Sequence, residues 1–126
     1  MGYVNFNKNN KKKLVGDCVI RAIATLLDVD WDDVYLDITT KGFYMKDMPS
    51  SNEVWSSYLR DVGFERYVIP NSCPDCYTVK DFCIDNPQGQ FLLATGSHVI
   101  AVIDGSYYDT WDSGNEVPIY YWQRRN

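Results

Sequence analysis

A thiol, an imidazole and a carboxylate, in that order, are the minimum parts of a nucleophilic acyl-transfer site, and this chain carries all three. Cys18 sits in Gly16-Asp17-Cys18-Val19-Ile20-Arg21-Ala22-Ile23. His98 is the sole histidine and opens the apolar run Val99-Ile100-Ala101-Val102-Ile103, whose return arm reads Tyr108-Asp109-Thr110-Trp111-Asp112. A cysteine attacks only as thiolate, and the first turn of a helix favours that form through unpaired N–H groups and the positive dipole end. Arg21, one turn along, adds a positive charge. A histidine within reach takes the proton, and an acid on its other ring nitrogen fixes tautomer and direction. Cysteines that merely fill a core are common, but a tight Gly16-Asp17 turn at a helix start is an unusual setting for filler.

Which acid serves depends on strand register. If Asp104 and Gly105 are the central residues of a type I′ turn, Ile103 faces Ser106 and His98 faces Trp111. Asp109 then shares a sheet face with His98, one diagonal step away. A three-residue loop with a bulge shifts the register and brings Asp112 there instead. Asp109 is the preferred partner and Asp112 the alternative, the remaining acid being left to order the turn at Ser113-Gly114.

Helices must present the cysteine and strands the histidine. Residues 1–13 are polar and Asn/Lys-rich and read as an extended arm. Asp17 is the expected N-cap of a helix over 18–27, apolar on most faces and therefore central. A second helix starts after Asp30, with Trp31, Val34, Tyr35 and Ile38 forming one buried face. Residues 41–49 contain Gly and Pro without a clear period and read as a loop. Ser50 with Glu53 predicts a capping box for a third helix carrying Val54, Trp55, Tyr58, Leu59 and Val62 and stopping at Gly63. A strand over 64–69 ends at Pro70, Cys73-Pro74-Asp75-Cys76 is a turn, and Thr78 with Asp81 caps a short fourth helix. Strands are expected over 91–95, 98–103, 106–111 and 117–122, the middle two joined at Asp104-Gly105. Helices first and an antiparallel sheet afterwards predict an α+β fold, a single domain over 1–126.

The chain of 126 residues can bury a real core. Hydrophobic residues at 45% and charged residues at 23% exclude a disordered chain. The aromatic share of 15% suits a core built on rings or a groove with amphipathic walls. A net charge of −5 argues against a nucleic-acid partner. The local exception, Asn7-Lys8-Asn9-Asn10-Lys11-Lys12-Lys13, is either a solvated lead-in or a guide for an acidic substrate. No apolar run reaches the length of a membrane span, and no signal-like hydrophobic region follows Lys13, so a cytoplasmic protein without a membrane partner is expected.

Four cysteines in such a chain read as free thiols, ligands or nucleophiles rather than as a disulfide frame. Cys73 and Cys76 have the spacing of a zinc knuckle or a redox pair, with Cys83 a possible third ligand. A structural zinc wants four ligands, and the only histidine is better explained at the site. No metal and no other cofactor is expected.

Cysteine at a helix start, then histidine, then Asn/Asp in a hairpin return strand resembles the papain-like cysteine peptidase superfamily. Asp109-Thr110-Trp111 resembles the Asn-Ser-Trp of papain-type enzymes, which implies that Trp111 shields the histidine–acid hydrogen bond. An Asp as third member is similar to the C39-like peptidases. Gly16-Asp17-Cys18-Val19-Ile20-Arg21-Ala22 together with the His98 hairpin also resembles small phage and mobile-element proteins of that superfamily. Papain-type enzymes carry a Gln six residues before the cysteine as oxyanion donor, and that position here is Lys12. Asn10, Asn9 or Lys12 are the candidate donors beside the Cys18 amide, and losing one such donor typically costs about 2.7–4 kcal/mol of transition-state stabilisation. The resemblance implies a papain-like fold and a Cys18-His98-Asp109 thiol hydrolase acting on a peptide or isopeptide bond of a peptide or protein substrate. A transamidase or deamidase would use the same triad, and a scaffold that only binds a partner protein is the non-catalytic alternative.

Overall fold

The helical periodicity of the first half and the apolar runs of the second resolve into ten elements in the computed structural model, which describes residues 2–13, 15–70 and 76–125. In chain order these are β1 (Gly2–Asn5), α1 (Cys18–Leu27), α2 (Trp31–Met45), α3 (Asn52–Asp61), β2 (Phe64–Val68), α4 (Val79–Asp85), β3 (Gln90–Ala94), β4 (Val99–Ile103), β5 (Ser106–Asp109) and β6 (Tyr120–Arg124). The fold is α+β: four helices on a six-stranded sheet of order β1-β5-β4-β3-β6-β2.

The helices α1, α2 and α3 cover one sheet face, where Ile23, Leu26, Val34, Ile38, Val54 and Leu59 meet Leu92, Ala94, Ala101 and Trp122. The other face is covered by α4, with Val79 and Phe82 against Phe91, Leu93, Ile100, Val102 and Tyr107. Successive residues of a strand point to opposite faces. Phe91-Leu92-Leu93-Ala94 is therefore buried throughout because both faces are covered. Fully burying one such large apolar side chain contributes roughly 1.5–3 kcal/mol.

The sheet, the second helix and the last strand differ from expectation. The sheet is mixed rather than antiparallel, because the first residues of the 1–13 arm form β1, which pairs in parallel with β5 from Gly2↔Ser106 to Asn5↔Asp109. The helix α2 runs to Met45 through a segment expected to be loop. Gly42 faces the returning chain there, where a Cβ would lie 2.8 Å from the Asp47 carbonyl oxygen, so the glycine permits close packing rather than ending the helix. The last strand starts at Tyr120 instead of 117, after Pro118, which has no N–H to donate to a ladder.

The helix caps follow the local sequence only in part. Thr78 and Asp81 form the expected capping box of α4. Ser51, not Ser50, caps α3, its hydroxyl accepting from the Glu53 amide at 3.3 Å. Asp17 occupies the N-cap position of α1 without capping it. On α2, Val34 and Ile38 are buried, while Tyr35 is exposed and stacks on Trp31 at 5.1 Å between ring centroids. Of the turn expected over 73–76, Cys73, Pro74 and Asp75 lie outside the described residues.

Candidate active site

The cysteine is carried by the first residue of α1 and the histidine by the turn that joins β3 to β4. That turn is closed by Thr95, whose amide donates to the His98 carbonyl at 2.8 Å. The Thr95 hydroxyl accepts from the His98 amide at 3.0 Å. The imidazole is therefore held on a short hairpin end rather than on a loose loop.

The acid follows from register. Asp104 and Gly105 both have positive φ, 49° and 79°, as a type I′ turn needs. Ile103 pairs with Ser106 and Val102 with Tyr107. Asp109 ends β5 beside His98, and its Oδ2 lies 2.7 Å from His98 Nε2. The two side chains are 3% and 13% exposed. Asp112 sits elsewhere: it is exposed, accepting from the Tyr107 hydroxyl at 2.5 Å and the Gly114 amide at 3.0 Å, where it orders the turn. Trp111 lies against His98, ring centroids 5.2 Å apart, and is itself 45% exposed.

Two further donors hold Asp109. The Ser113 hydroxyl donates to Oδ2 at 2.7 Å and the Thr110 amide to Oδ1 at 2.8 Å. Burial favours the neutral acid, but these bonds and the His98 charge outweigh it and leave the Asp109 pKa lowered. Sequence reasoning missed Ser113, although a hydroxyl four residues past the acid, before a glycine turn, was a usable signal.

The same balance acts on the other two groups. Burial pulls the His98 pKa down, and hydrogen bonding to Asp109 and Cys18 with their charges overcomes it, bringing the value up to about 9. Burial pushes the Cys18 thiol up, and hydrogen bonding to His98, the Val99 backbone, and the His98 and Arg21 charges bring it below its ordinary value. Because Nε2 is committed to Asp109, Nδ1 is the ring nitrogen left for the sulfur. A lowered thiol beside a raised imidazole favours a thiolate–imidazolium pair, whose two titrations belong to the pair. Cys83, by contrast, is buried, and desolvation pushes it up to about 11.

The pair opens on two sides. A cleft of about 450 Å³ runs toward α2 and α3, walled by Val19, Ile20, Tyr35, Trp55 and Tyr120. A shallower opening of about 330 Å³ lies toward Val15, Arg21, Thr110 and Trp111. Cys18 and His98 line both.

The oxyanion candidates do not meet the sulfur. Asn10 and Lys12 are exposed and line neither opening, and Lys12 Nζ instead donates to the Asn7 carbonyl at 2.7 Å. Asn9 is buried and clasps the arm, accepting from the Lys11 amide at 2.9 Å and donating to Asp17 at 3.4 Å. The donors at hand are the backbone amides of the first turn of α1, which no side chain caps.

Cys18 and Cys83 are free thiols, whereas Cys76 is disulfide-bonded. Among the described residues no group of His, Cys, Asp and Glu could hold a metal ion, and no helix is long and apolar enough to cross a membrane. Compared with known proteins, the chain matches no family model, and no curated protein or solved structure is significantly similar to it.

Proposed function

We propose that the chain is a small papain-like thiol hydrolase that cleaves a peptide or isopeptide bond. The observation that carries this reading is the 2.7 Å contact of His98 Nε2 with buried Asp109, on an imidazole that also acts on a thiol of lowered pKa at the mouth of a cleft.

The Cys18 thiolate attacks the carbonyl carbon, and the resulting oxyanion takes hydrogen bonds from the Cys18 amide and its neighbours at the start of α1. His98 gives its Nδ1 proton to the departing amine as the C–N bond breaks, leaving a thioester on Cys18. Water then attacks the thioester, His98 accepts its proton, and the thiolate leaves with the acid product released. Asp109 holds the ring in the required tautomer throughout and stabilises the imidazolium. With Asn10 and Lys12 away from the sulfur, stabilisation of the oxyanion rests on backbone amides, which predicts modest turnover. The aromatic-walled cleft is within the size range of ligand sites and suits an extended chain carrying apolar side chains.

The test is to incubate the protein with a mixed peptide library and lysine-branched isopeptides, with and without a primary amine, and sequence new termini by mass spectrometry. New termini that disappear in Cys18→Ala support the hydrolase. Adducts of the amine in place of free acid assign the same site to transamidation. Intact peptides, with no acyl group trapped on Cys18, leave only a partner-binding scaffold.

A further inference from the structure

A second polar chain links the nucleophile's helix to the acid's loop, and the reaction above does not use it. Asp17 precedes Cys18 and is buried. Its Oδ1 lies 3.0 Å from Arg21 Nε, with the side chains 5% and 13% exposed. The approach is off-axis, so charge rather than an aligned hydrogen bond joins the two. The other oxygen, Oδ2, accepts from Trp31 Nε1 at 2.9 Å and Asn9 Nδ2 at 3.4 Å. Arg21 Nη1 donates to Thr110 Oγ1 at 3.2 Å, and the Thr110 amide donates to Asp109. The guanidinium therefore spans from the start of α1 to the chain leaving β5.

Charge alone does not explain this arrangement. The Arg21 charge does lower the Cys18 thiol, but an ammonium in the same place would do that as well. A buried ion pair is also weak evidence for stability, because desolvation offsets its attraction. What the couple supplies is geometry. A rigid planar fork can hold a carboxylate on one edge and a hydroxyl on another, which a single ammonium cannot do in the same place.

We propose that Arg21, anchored by Asp17, is a positioning residue that sets the Asp109–His98 couple at its working distance from the Cys18 sulfur. This rests on the thiol-hydrolase reading. The groups facing the couple are Cys18 and Arg21 from α1 with Asp17 just before it, Ser113 and Thr110 beside Asp109, and Tyr3 from β1, whose hydroxyl donates to the Asp109 carbonyl at 3.3 Å. The Arg21–Thr110 contact bridges the two halves of the site through a side chain that the reaction leaves unchanged.

Thr110→Val removes the acceptor while keeping the Asp17–Arg21 pair, Thr110→Ser restores it, and Arg21→Lys keeps the charge but loses the fork. Each folded variant is read by the NMR titration of His98 and by the rate of Cys18 alkylation against pH. Thr110→Val and Arg21→Lys should move the His98 midpoint from about 9 toward 6.5, and Thr110→Ser should match the wild type. Alkylation near neutral pH should slow in Thr110→Val and Arg21→Lys, by tenfold for each pKa unit that the thiol rises. Wild-type midpoints and rates in both Thr110→Val and Arg21→Lys would overturn the positioning role while leaving the hydrolase reading intact. A wild-type midpoint near 6.5 would remove that reading, and this inference with it. If Arg21→Lys does not fold, Thr110→Val alone decides.

Discussion

Replacing Asp109 with Asn keeps the side-chain shape and removes the charge that faces His98 Nε2, so its effect can be worked from the site. In the wild type, burial lowers the His98 pKa, and Asp109 with Cys18 raises it from 6.5 to about 9. At 1.36 kcal/mol per pKa unit, the folded state favours the imidazolium by about 3 kcal/mol relative to an ordinary histidine. The Asp109 hydrogen bond is the largest of the raising contributions. Without that charge, burial dominates, and the midpoint should fall to about 7 or below. Because His98 is the only histidine, a single imidazole Cε1–H resonance reports the titration without assignment.

The same shift has a sign in stability. A raised pKa means the folded protein holds the proton more tightly than the unfolded chain. This contribution is complete below about pH 6.5 and is lost as pH rises through about 9. The lowered Cys18 thiol works the other way over the upper part of that range, so the net loss in urea titrations should stay under about 3 kcal/mol. In Asp109→Asn the slope across this window should largely vanish. A variant midpoint above about 8 would refute the reasoning, since Cys18 alone would then hold the proton against burial.

Ser113→Ala removes a fully buried donor to Asp109 and should cost about 1–3 kcal/mol in urea unfolding while raising the acid's apparent pKa. Gly42→Ala places a Cβ 2.8 Å from the Asp47 carbonyl and should destabilise by about 1–3 kcal/mol, seen as a lower Tm and fraying of the end of α2. Leu92→Ala, at the centre of the sheet, should cost about 2–5 kcal/mol by the same measurement without changing the His98 titration.

Features with a local cause were legible in the sequence. The Thr78–Asp81 box and the type I′ turn at Asp104-Gly105 each follow from short-range chemistry, and that turn carries Asp109 to His98. Features whose cause is a distant partner were not. β1 forms because β5 offers an edge more than a hundred residues away, and nothing in Gly2-Tyr3-Val4-Asn5 announces a parallel pairing. Asp17 has the residue type of a cap, yet Arg21, Trp31 and Asn9 compete for its carboxylate and win. Lys12 and Asn10 stand near the cysteine in sequence, but the arm turns there, with Lys12 at φ 55°, and carries both away from the cleft. Sequence distance to Cys18 was thus a poor guide to distance in space.

The central claim is that His98 lowers the Cys18 thiol pKa and so activates the sulfur. Iodoacetamide alkylation from pH 5 to 10, mapped to individual cysteines by mass spectrometry, tests it directly. The account predicts that Cys18 reacts faster than Cys83 on a profile lying below that of an ordinary thiol, and that His98→Ala returns Cys18 to ordinary behaviour. A Cys18 rate that rises only around the usual thiol pKa of about 8.5, unchanged by His98→Ala, would contradict it.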